Sequence, residues 1–356
     1  MNLTRAAFLG RQAIKFGAIG LVVLIVGRMF LEAGVSYWKA THPPAPPPPT
    51  VGFGVLPMIR LPAVPTSQKP SAYQLEIPNS RFPEFPDRAK VFLMEKATPN
   101  LLADQRAKEI AANYGFVFAP TVLSDRLYRW TKTIPLQAVL EMDTQRFNFS
   151  IKTDYLSRVE LINNKKALPS EIDAVQAVKS FLSAGQSLPV DMATSSGKVQ
   201  YLKSLGGEVL PAVSFSDADF MQVDVMRNPV DGNKPFYTAK GERGILHAIL
   251  SGGFGGRDQV VEMEFNYQPA DYLQFHTYPL RSAQSAWQIL QAGEAYIASK
   301  GTSDTAVVRD MSLGYYEDSE EQDYLQPIYV FHGDDGFMAF VPAIDPRYIL
   351  PPTTQP

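Results

Sequence analysis

The feature that most constrains the fold is a pattern that occurs three times along the chain, an amphipathic helix followed by short strands. Apolar residues spaced three or four positions apart indicate three helices. Asn100 or Asp104 can cap the first, Ser170 is expected to cap the second, and the third starts near Ser282. Alternating apolar and polar residues then indicate strands, as at 146–151 and 220–226. Helices interspersed with antiparallel strands are typical of an α+β protein, which is the fold class we predict.

The pattern predicts two or three units, each a helix on an antiparallel sheet. Their predicted bounds are 86–165, 166–256 and 257–350, and a disordered tail is predicted at 351–356. In the second and third helices, Ser170 aligns with Ser282 and Ala174 with Ala286. The strands before these two helices share the related phrases LEMD and VEME. Internal duplication is therefore the economical explanation.

Residues 16–38 are predicted to form a transmembrane anchor. The uncharged run 16–27 resumes as apolar residues after Arg28, and together they are long enough to cross a hydrocarbon core as a helix. The residues expected to contact lipid are Phe16, Leu21, Val22, Val23, Leu24, Ile25, Val26, Phe30, Leu31, Tyr37 and Trp38. A cleaved signal peptide is the alternative, because the uncharged run alone is short.

Basic residues before the apolar run predict the orientation. Arg5, Arg11 and Lys15 place residues 1–15 in the cytoplasm as a short tail. The expected location is therefore the cell membrane, crossed once, with the folded part outside the cytoplasm. A proline-rich linker at 39–85 follows, and its run of prolines favours an extended spacer. The anchor would contact the lipid bilayer and offers a face for homo- or hetero-oligomers.

Composition excludes several classes of chemistry. The chain has no cysteine, so a disulfide framework, a thiolate nucleophile and a cysteine-ligated metal are excluded. The four histidines are scattered, and no Gly-x-Ser-x-Gly, His-Glu-x-x-His or Ser-x-x-Lys motif occurs. Beyond its basic amino end the chain is acidic, which argues against a nucleic-acid partner. We therefore predict no catalytic residue, no cofactor and no metal site.

Two carboxylate pairs keep an enzymatic alternative open. Glu262 and Glu264 share one face of a strand, and Asp334 and Asp335 share a turn. Either pair would suit a cell-wall hydrolase, although both also suit a solvated surface. The acidic residues at 317–323 are interpreted as a solvated loop.

The last third of the chain carries a family resemblance. A helix with an apolar stripe is followed by the phrase LGYY at 313–316 and by YLQPIYVF at 324–331, which a Gly- and Asp-rich turn joins to FVPAI at 340–344. Over 278–344 this order resembles the PepSY-like unit, and in particular membrane-anchored regulatory proteins of the YycI/YycH type. The resemblance implies a single-pass membrane protein that acts by contact, commonly on a sensor kinase, with no chemistry of its own.

Together these features predict a non-enzymatic, membrane-anchored extracytoplasmic protein that binds or regulates another membrane or envelope protein, such as a sensor kinase or a protease. A cell-envelope scaffold or assembly factor is the alternative, and the cell-wall hydrolase is a remote one. Tyrosine is common at interfaces, so a candidate partner-binding surface is predicted at Tyr315, Tyr316, Tyr324 and Tyr329.

Overall fold

A computed structural model describes residues 16–17, 20–21, 24–35, 37–38, 48–78, 81–158 and 168–351. The chain separates into two compact units, Met1–Pro48 and Pro49–Pro356, and each is described by itself. The predicted cytoplasmic tail at 1–15, most of the proline run and all but the first residue of the carboxyl-terminal tail lie outside the described residues.

The described residues of the first unit up to position 38 are helical, and their side chains are exposed. Among the helices in the described residues, none is both long and apolar enough to cross a membrane. The predicted transmembrane anchor at 16–38 is therefore corrected. Within this stretch, Arg28 pairs with Glu32 at 2.8 Å across one helical turn. Val22 and Val23 lie outside the described residues.

The second unit is built mainly of strands. Within its described residues they form one sheet of nine strands and one of eight. The nine-stranded sheet is antiparallel throughout and contains, in spatial order, β3 (Thr121–Val122), β4 (Leu127–Lys132), β5 (Ala138–Asp143), β6 (Phe149–Thr153), β12 (Val260–Phe265), β11 (Leu246–Ser251), β9 (Phe220–Val225), β7 (Gly197–Leu205) and β8 (Glu208–Pro211).

The eight-stranded sheet is mixed, because β1 and β10 both pair parallel with β15. Its main path runs β1 (Ala72–Leu75), β15 (Thr305–Glu317), β16 (Tyr324–Gly333), β17 (Met338–Pro342) and β14 (Tyr296–Ser299). The strands off this path are β10 (Phe236–Thr238), β2 (Arg88–Met94) and β13 (Ala270–Pro279).

The predicted fold of two or three units, each a helix on its own antiparallel sheet, is therefore wrong. Strands from 86–165, from 166–256 and from 257–350 share the nine-stranded sheet, while β2 joins the other sheet. The physical reason is that alternation along a strand shows which face is buried but not which strand lies beside it. Large sheets assembled from distant strands replace small local ones.

Four helices of the second unit's described residues are α1 (Ala103–Asn113), α2 (Glu171–Ala184), α3 (Val190–Ala193) and α4 (Ala283–Gln291). The cap predicted at Ser170 for α2 is confirmed, since its hydroxyl accepts from the Asp173 backbone N–H. The hydroxyl of Ser282, near which α4 was expected to start, accepts from the Ser285 backbone N–H in the same way. The cap predicted for α1 at Asn100 or Asp104 is wrong: Leu102 occupies that position and makes no side-chain capping bond.

Apolar side chains pack the helices against the two sheets. Apolar residues of α1 and α2, such as Ile110 and Val178, pack with Met142 and Met263 of the nine-stranded sheet. Trp287 and Leu290 of α4 pack instead with buried residues of the eight-stranded sheet. The register places a row of largely polar side chains across the nine-stranded sheet, namely Lys198, Asp224, His247, Glu264, Ser150, Glu141 and Arg129.

Candidate binding cleft

The structure buries most of the predicted partner surface. Tyr315 and Tyr316 have no exposed area, and Tyr329 is 1% exposed, whereas Tyr324 is half-buried with its ring 4.9 Å from that of Phe53. The reason is position: β15 and β16 are interior strands whose two faces are both covered by core side chains. Tyr315, Tyr316 and Tyr329 are therefore core residues, and this part of the prediction is wrong.

A cleft of about 520 Å³ lies at one end of the nine-stranded sheet. We call it the cleft and define it by four segments: Arg106 and Ile110 of α1, Arg146 and Phe147 of the β5–β6 turn, residues 186–191, and residues 265–272. These segments are distant in sequence and meet because α1 and α2 pack on the same sheet face. Its size is in the range of pockets that hold small molecules or short peptide segments.

Apolar side chains form much of its wall. Ile110 and Phe265 belong to the buried core, so the accessible apolar surface comes from Phe147 and Leu188, which are half-buried. Val190 stands at the rim with 91% of its surface exposed. Apolar groups that remain accessible in a concave site favour a partner that supplies apolar surface of its own.

Two of the six non-glycine residues with positive φ in the described part of the chain line this cleft. Phe147 and Gln186 have φ angles of 56° and 55°, in the left-handed region that side chains rarely adopt. Gln186 is there because α2 ends in a Schellman motif, in which the N–H of Ser187 bonds to the Leu182 carbonyl and that of Gln186 to Ser183. Strained residues cluster at functional sites more often than elsewhere.

Glycine occurs at position 185, directly before the left-handed residue Gln186. A Cβ at this position would lie 2.3 Å from the hydroxyl of Tyr114, so the glycine is required for close packing. The ring of Tyr114, which follows α1, stacks on the ring of Phe181 in α2 with a centroid distance of 4.7 Å. Glycine therefore stands one residue before the left-handed position, and Gln186 adopts that conformation instead.

A fixed polar group lies beside the apolar wall. Asp191 accepts hydrogen bonds from the hydroxyls of Tyr267 and Tyr272 at 3.1 and 2.8 Å, and from Arg227 at 2.8 Å. Burial raises the pKa of both tyrosines, so both remain protonated donors near neutral pH. Asp191 is thus held in place by three donors.

Two guanidinium groups complete the cleft. Arg106 lies over the ring of Phe147, 4.9 Å from its centroid. Arg146 is half-buried, and its Nε is enclosed without a hydrogen-bond partner. The cleft therefore joins accessible apolar surface to cationic groups, an arrangement that suits binding.

One carboxylate of each pair that kept the hydrolase alternative open, Glu264 and Asp334, is engaged in ion pairs. Glu264 lies 2.8 Å from Arg243, and although burial raises its pKa, Arg243 and Lys240 lower it below its usual range. Asp334 accepts from Arg309 at 2.9 Å, which lowers its pKa as well. A carboxylate held ionised in this way is a poor general acid.

The predicted acidic loop at 317–323 is only partly solvated. Asp323 and Glu320 pair with Lys96 and Arg60 at the surface. Glu317, in contrast, is buried and pairs with Arg227, which sequence reasoning did not anticipate. Among the residues that the structure describes, no three His, Cys, Asp or Glu side chains are placed to hold a metal ion.

Comparison with known proteins adds little. No family model matches the chain, and no curated protein matches it. An uncharacterized protein from Eubacterium rectale aligns with 71% of this chain and 81% of its own, at 8% identity and a TM-score of 0.34. The C-terminal domain of YpeB from Bacillus megaterium aligns with 70% of this chain and 95% of its own, at 12% identity and a TM-score of 0.34.

Likenesses this weak carry no argument about function. The resemblance to PepSY-like and YycI/YycH-type proteins stays a prediction.

Proposed function

We propose that this protein works by binding another protein, and that the cleft is where it does so. The observation that carries the proposal is the combination of accessible apolar walls with two left-handed non-glycine residues, Phe147 and Gln186, in one concave site. Strained backbone persists where surrounding structure holds it, and here it fixes the walls of the cleft before a partner arrives.

The partner class comes from the sequence. A sensor kinase or a protease of the cell envelope is the first class to test, since the family resemblance implies regulation by contact. The location outside the cytoplasm also stays a prediction. A scaffold or assembly factor would also act by contact, and it would differ in having structural envelope proteins as partners.

A matched pair of surface variants tests the proposal. Val190→Asp places a charge at the rim of the cleft, whereas Val213→Asp places one at a residue that is equally exposed, 93% against 91%, and does not line the cleft. Both variants should fold, because neither side chain is buried. Tagged full-length protein would be purified from the cells that make it, and the co-purifying proteins would be quantified by mass spectrometry.

The proposal predicts at least one protein that co-purifies with the wild type and with Val213→Asp but is depleted at least fivefold with Val190→Asp. If the three co-purifying sets are the same, the cleft does not bind a partner and the proposal fails.

A further inference from the structure

The edge of the nine-stranded sheet at β3 is open and apolar. β3 pairs with β4 on one side, and no strand of the described residues lies on its other side. The segment 117–123 carries no charge, and its residues Val117, Phe118 and Val122 are between 61% and 71% exposed. An exposed strand edge is a template for pairing with another chain, and natural proteins usually protect such edges with charged residues. Within 117–123 that protection is missing.

The backbone at this edge offers one residue's pair of hydrogen-bonding groups. The N–H of Leu123 bonds to the Leu127 carbonyl of β4, and successive residues of an antiparallel strand point their backbone groups in opposite directions. The N–H and the carbonyl of Val122 therefore face away from β4. To either side, Pro120 has no N–H, and the N–H of Ser124 bonds to the Leu127 carbonyl. A long foreign strand would find few hydrogen-bonding groups here, whereas one residue can pair with one residue.

We infer that β3 is the contact surface for a second copy of this chain. In a two-fold dimer, Val122 of one copy would lie opposite Val122 of the other, because a hydrogen-bonded antiparallel pair exchanges both N–H···O bonds between two residues. The nine-stranded sheets of the two copies would then form one continuous sheet. This inference does not depend on the proposed function.

Accessible apolar side chains surround the proposed pair. Val117, Phe118 and Val122 line a groove of about 410 Å³ beside α1. Among the described residues that line this groove, Lys108 is the only charged one. Two copies that meet at this edge would bring apolar side chains together without burying a cluster of charges.

The start of α1 extends this apolar surface. Leu101 and Leu102 are exposed, and nearby Asp104 accepts a hydrogen bond from the hydroxyl of Tyr128, which lies directly opposite Val122. A stable interface buries roughly 800 Å² on each partner. The two leucines and the three groove residues are each more than 60% exposed, so together they supply an area of that order. The surface is therefore large enough for a dimer.

A single introduced cysteine tests the pairing, because the chain has no cysteine of its own. The Cα atoms of a hydrogen-bonded antiparallel pair lie about 5.5 Å apart. A disulfide spans Cα distances of roughly 4.4–6.8 Å. Full-length protein with Val122→Cys would be oxidised in the cells that make it and separated on a non-reducing gel. Val213→Cys is the control, since position 213 is more exposed and lies outside β3. The disulfide-linked dimer should be at least tenfold more abundant with Val122→Cys.

A second substitution tests whether the apolar surface drives the contact. Phe118→Asp places like charges on the two copies at the contact, and the variant should fold because the side chain is exposed. Added to Val122→Cys, it should reduce the disulfide-linked dimer at least fivefold. In sedimentation equilibrium the full-length wild type should be a dimer, which Phe118→Asp shifts to monomer and Val213→Asp leaves unchanged.

Three results would overturn the inference. Equal disulfide yields at positions 122 and 213 would indicate random collision instead of pairing through β3. A dimer that Phe118→Asp leaves unchanged would place the contact elsewhere on the chain. A monomeric wild type, with or without another protein held at this edge, would also refute it. In each case, co-purification with the Val190 and Val213 variants still decides the proposed function separately.

Discussion

Arg227 and Glu317 form a buried ion pair that joins the two sheets. Arg227 directly follows β9 of the nine-stranded sheet, Glu317 ends β15 of the eight-stranded sheet, and their side chains are 0% and 2% exposed. The guanidinium also lies over the ring of Tyr267 at 4.1 Å and donates to the carbonyl of Gln268. One side chain thus binds residues from strands and loops that are far apart along the chain.

Removing one partner of this pair should destabilise the fold strongly. Glu317→Gln removes one of the two carboxylates that balance the buried guanidinium, Asp191 being the other, and we expect the free energy of unfolding to fall by about 3 kcal/mol in urea titrations. The matched control is Glu141→Gln, which breaks the partly exposed pair with Arg129 and should cost less than about 1 kcal/mol. Equal losses in the two variants would show that the Arg227 pair has no special role.

Gly314 should tolerate no side chain. A Cβ there would lie 2.6 Å from the ring of Tyr237 and 2.8 Å from the carbonyl of Pro235, because β10 runs alongside β15 at this point. Gly314→Ala should therefore lower the free energy of unfolding by about 1–3 kcal/mol. Gly255→Ala is the control, since a Cβ at Gly255 meets nothing within 4 Å. Thermal denaturation of the two variants checks the difference.

Gln186→Gly should stabilise the protein. Glycine adopts the left-handed conformation without the steric cost that Gln186 bears, so we expect a gain of about 1 kcal/mol in the free energy of unfolding. Because the exposed side chain of Gln186 makes no described hydrogen bond, little is lost in exchange. If urea titration shows no gain, the strain at the cleft is smaller than its geometry indicates.

Acid should weaken the fold through Asp224. Burial raises the pKa of this carboxyl. Hydrogen bonds from His247, Gln222 and the Gly244 backbone lower the pKa by more than burial raises it, so the pKa lies below its usual 3.8. A folded-state pKa below the unfolded value gives stability that is present above about pH 4 and lost as the pH falls through the folded pKa. Asp224→Asn should lose less stability than the wild type between pH 6 and pH 3 in urea titrations. Identical pH profiles would contradict this assignment.

Local features of the fold could be predicted from the sequence. Ser170 was expected as a helix cap and is observed as one, and a helix was expected to start near Ser282 and does, because a helix start depends on residues within one turn. The turn at Asp334–Gly336 was expected to join two antiparallel strands, and it connects β16 to β17. Both features are set by neighbours in sequence.

The pairing of distant strands could not be predicted in the same way. β2 pairs with β13, so that Lys90 lies opposite Thr277, and nothing in either strand's alternation identifies the other. The parallel pairing of β10 with β15 is likewise invisible in the sequence. Because strand partners were unknown, the tyrosines of β15 and β16 were assigned to a surface that the structure buries.

The cleft escaped prediction for a related reason. Arg146 and Phe147 were predicted to begin a strand at 146–151, but β6 begins only at Phe149, and both residues lie in the connection before it. Residues 186–191 follow a helix end. The one local signal was glycine at position 185 followed by glutamine, since a helix usually places glycine at the left-handed position. The packing of Tyr114 on Gly185 explains why glycine stands at position 185.

Direct contact at the cleft is the central claim, and site-specific photo-crosslinking in the cells that make the protein tests it most directly. A photoreactive phenylalanine analogue would replace Val190 in one variant and Val213 in another, both at the exposed positions already described. The account predicts a discrete crosslinked partner at position 190 and none of that species at 213. The same species at both positions with similar yield, or no discrete species at 190, would contradict it.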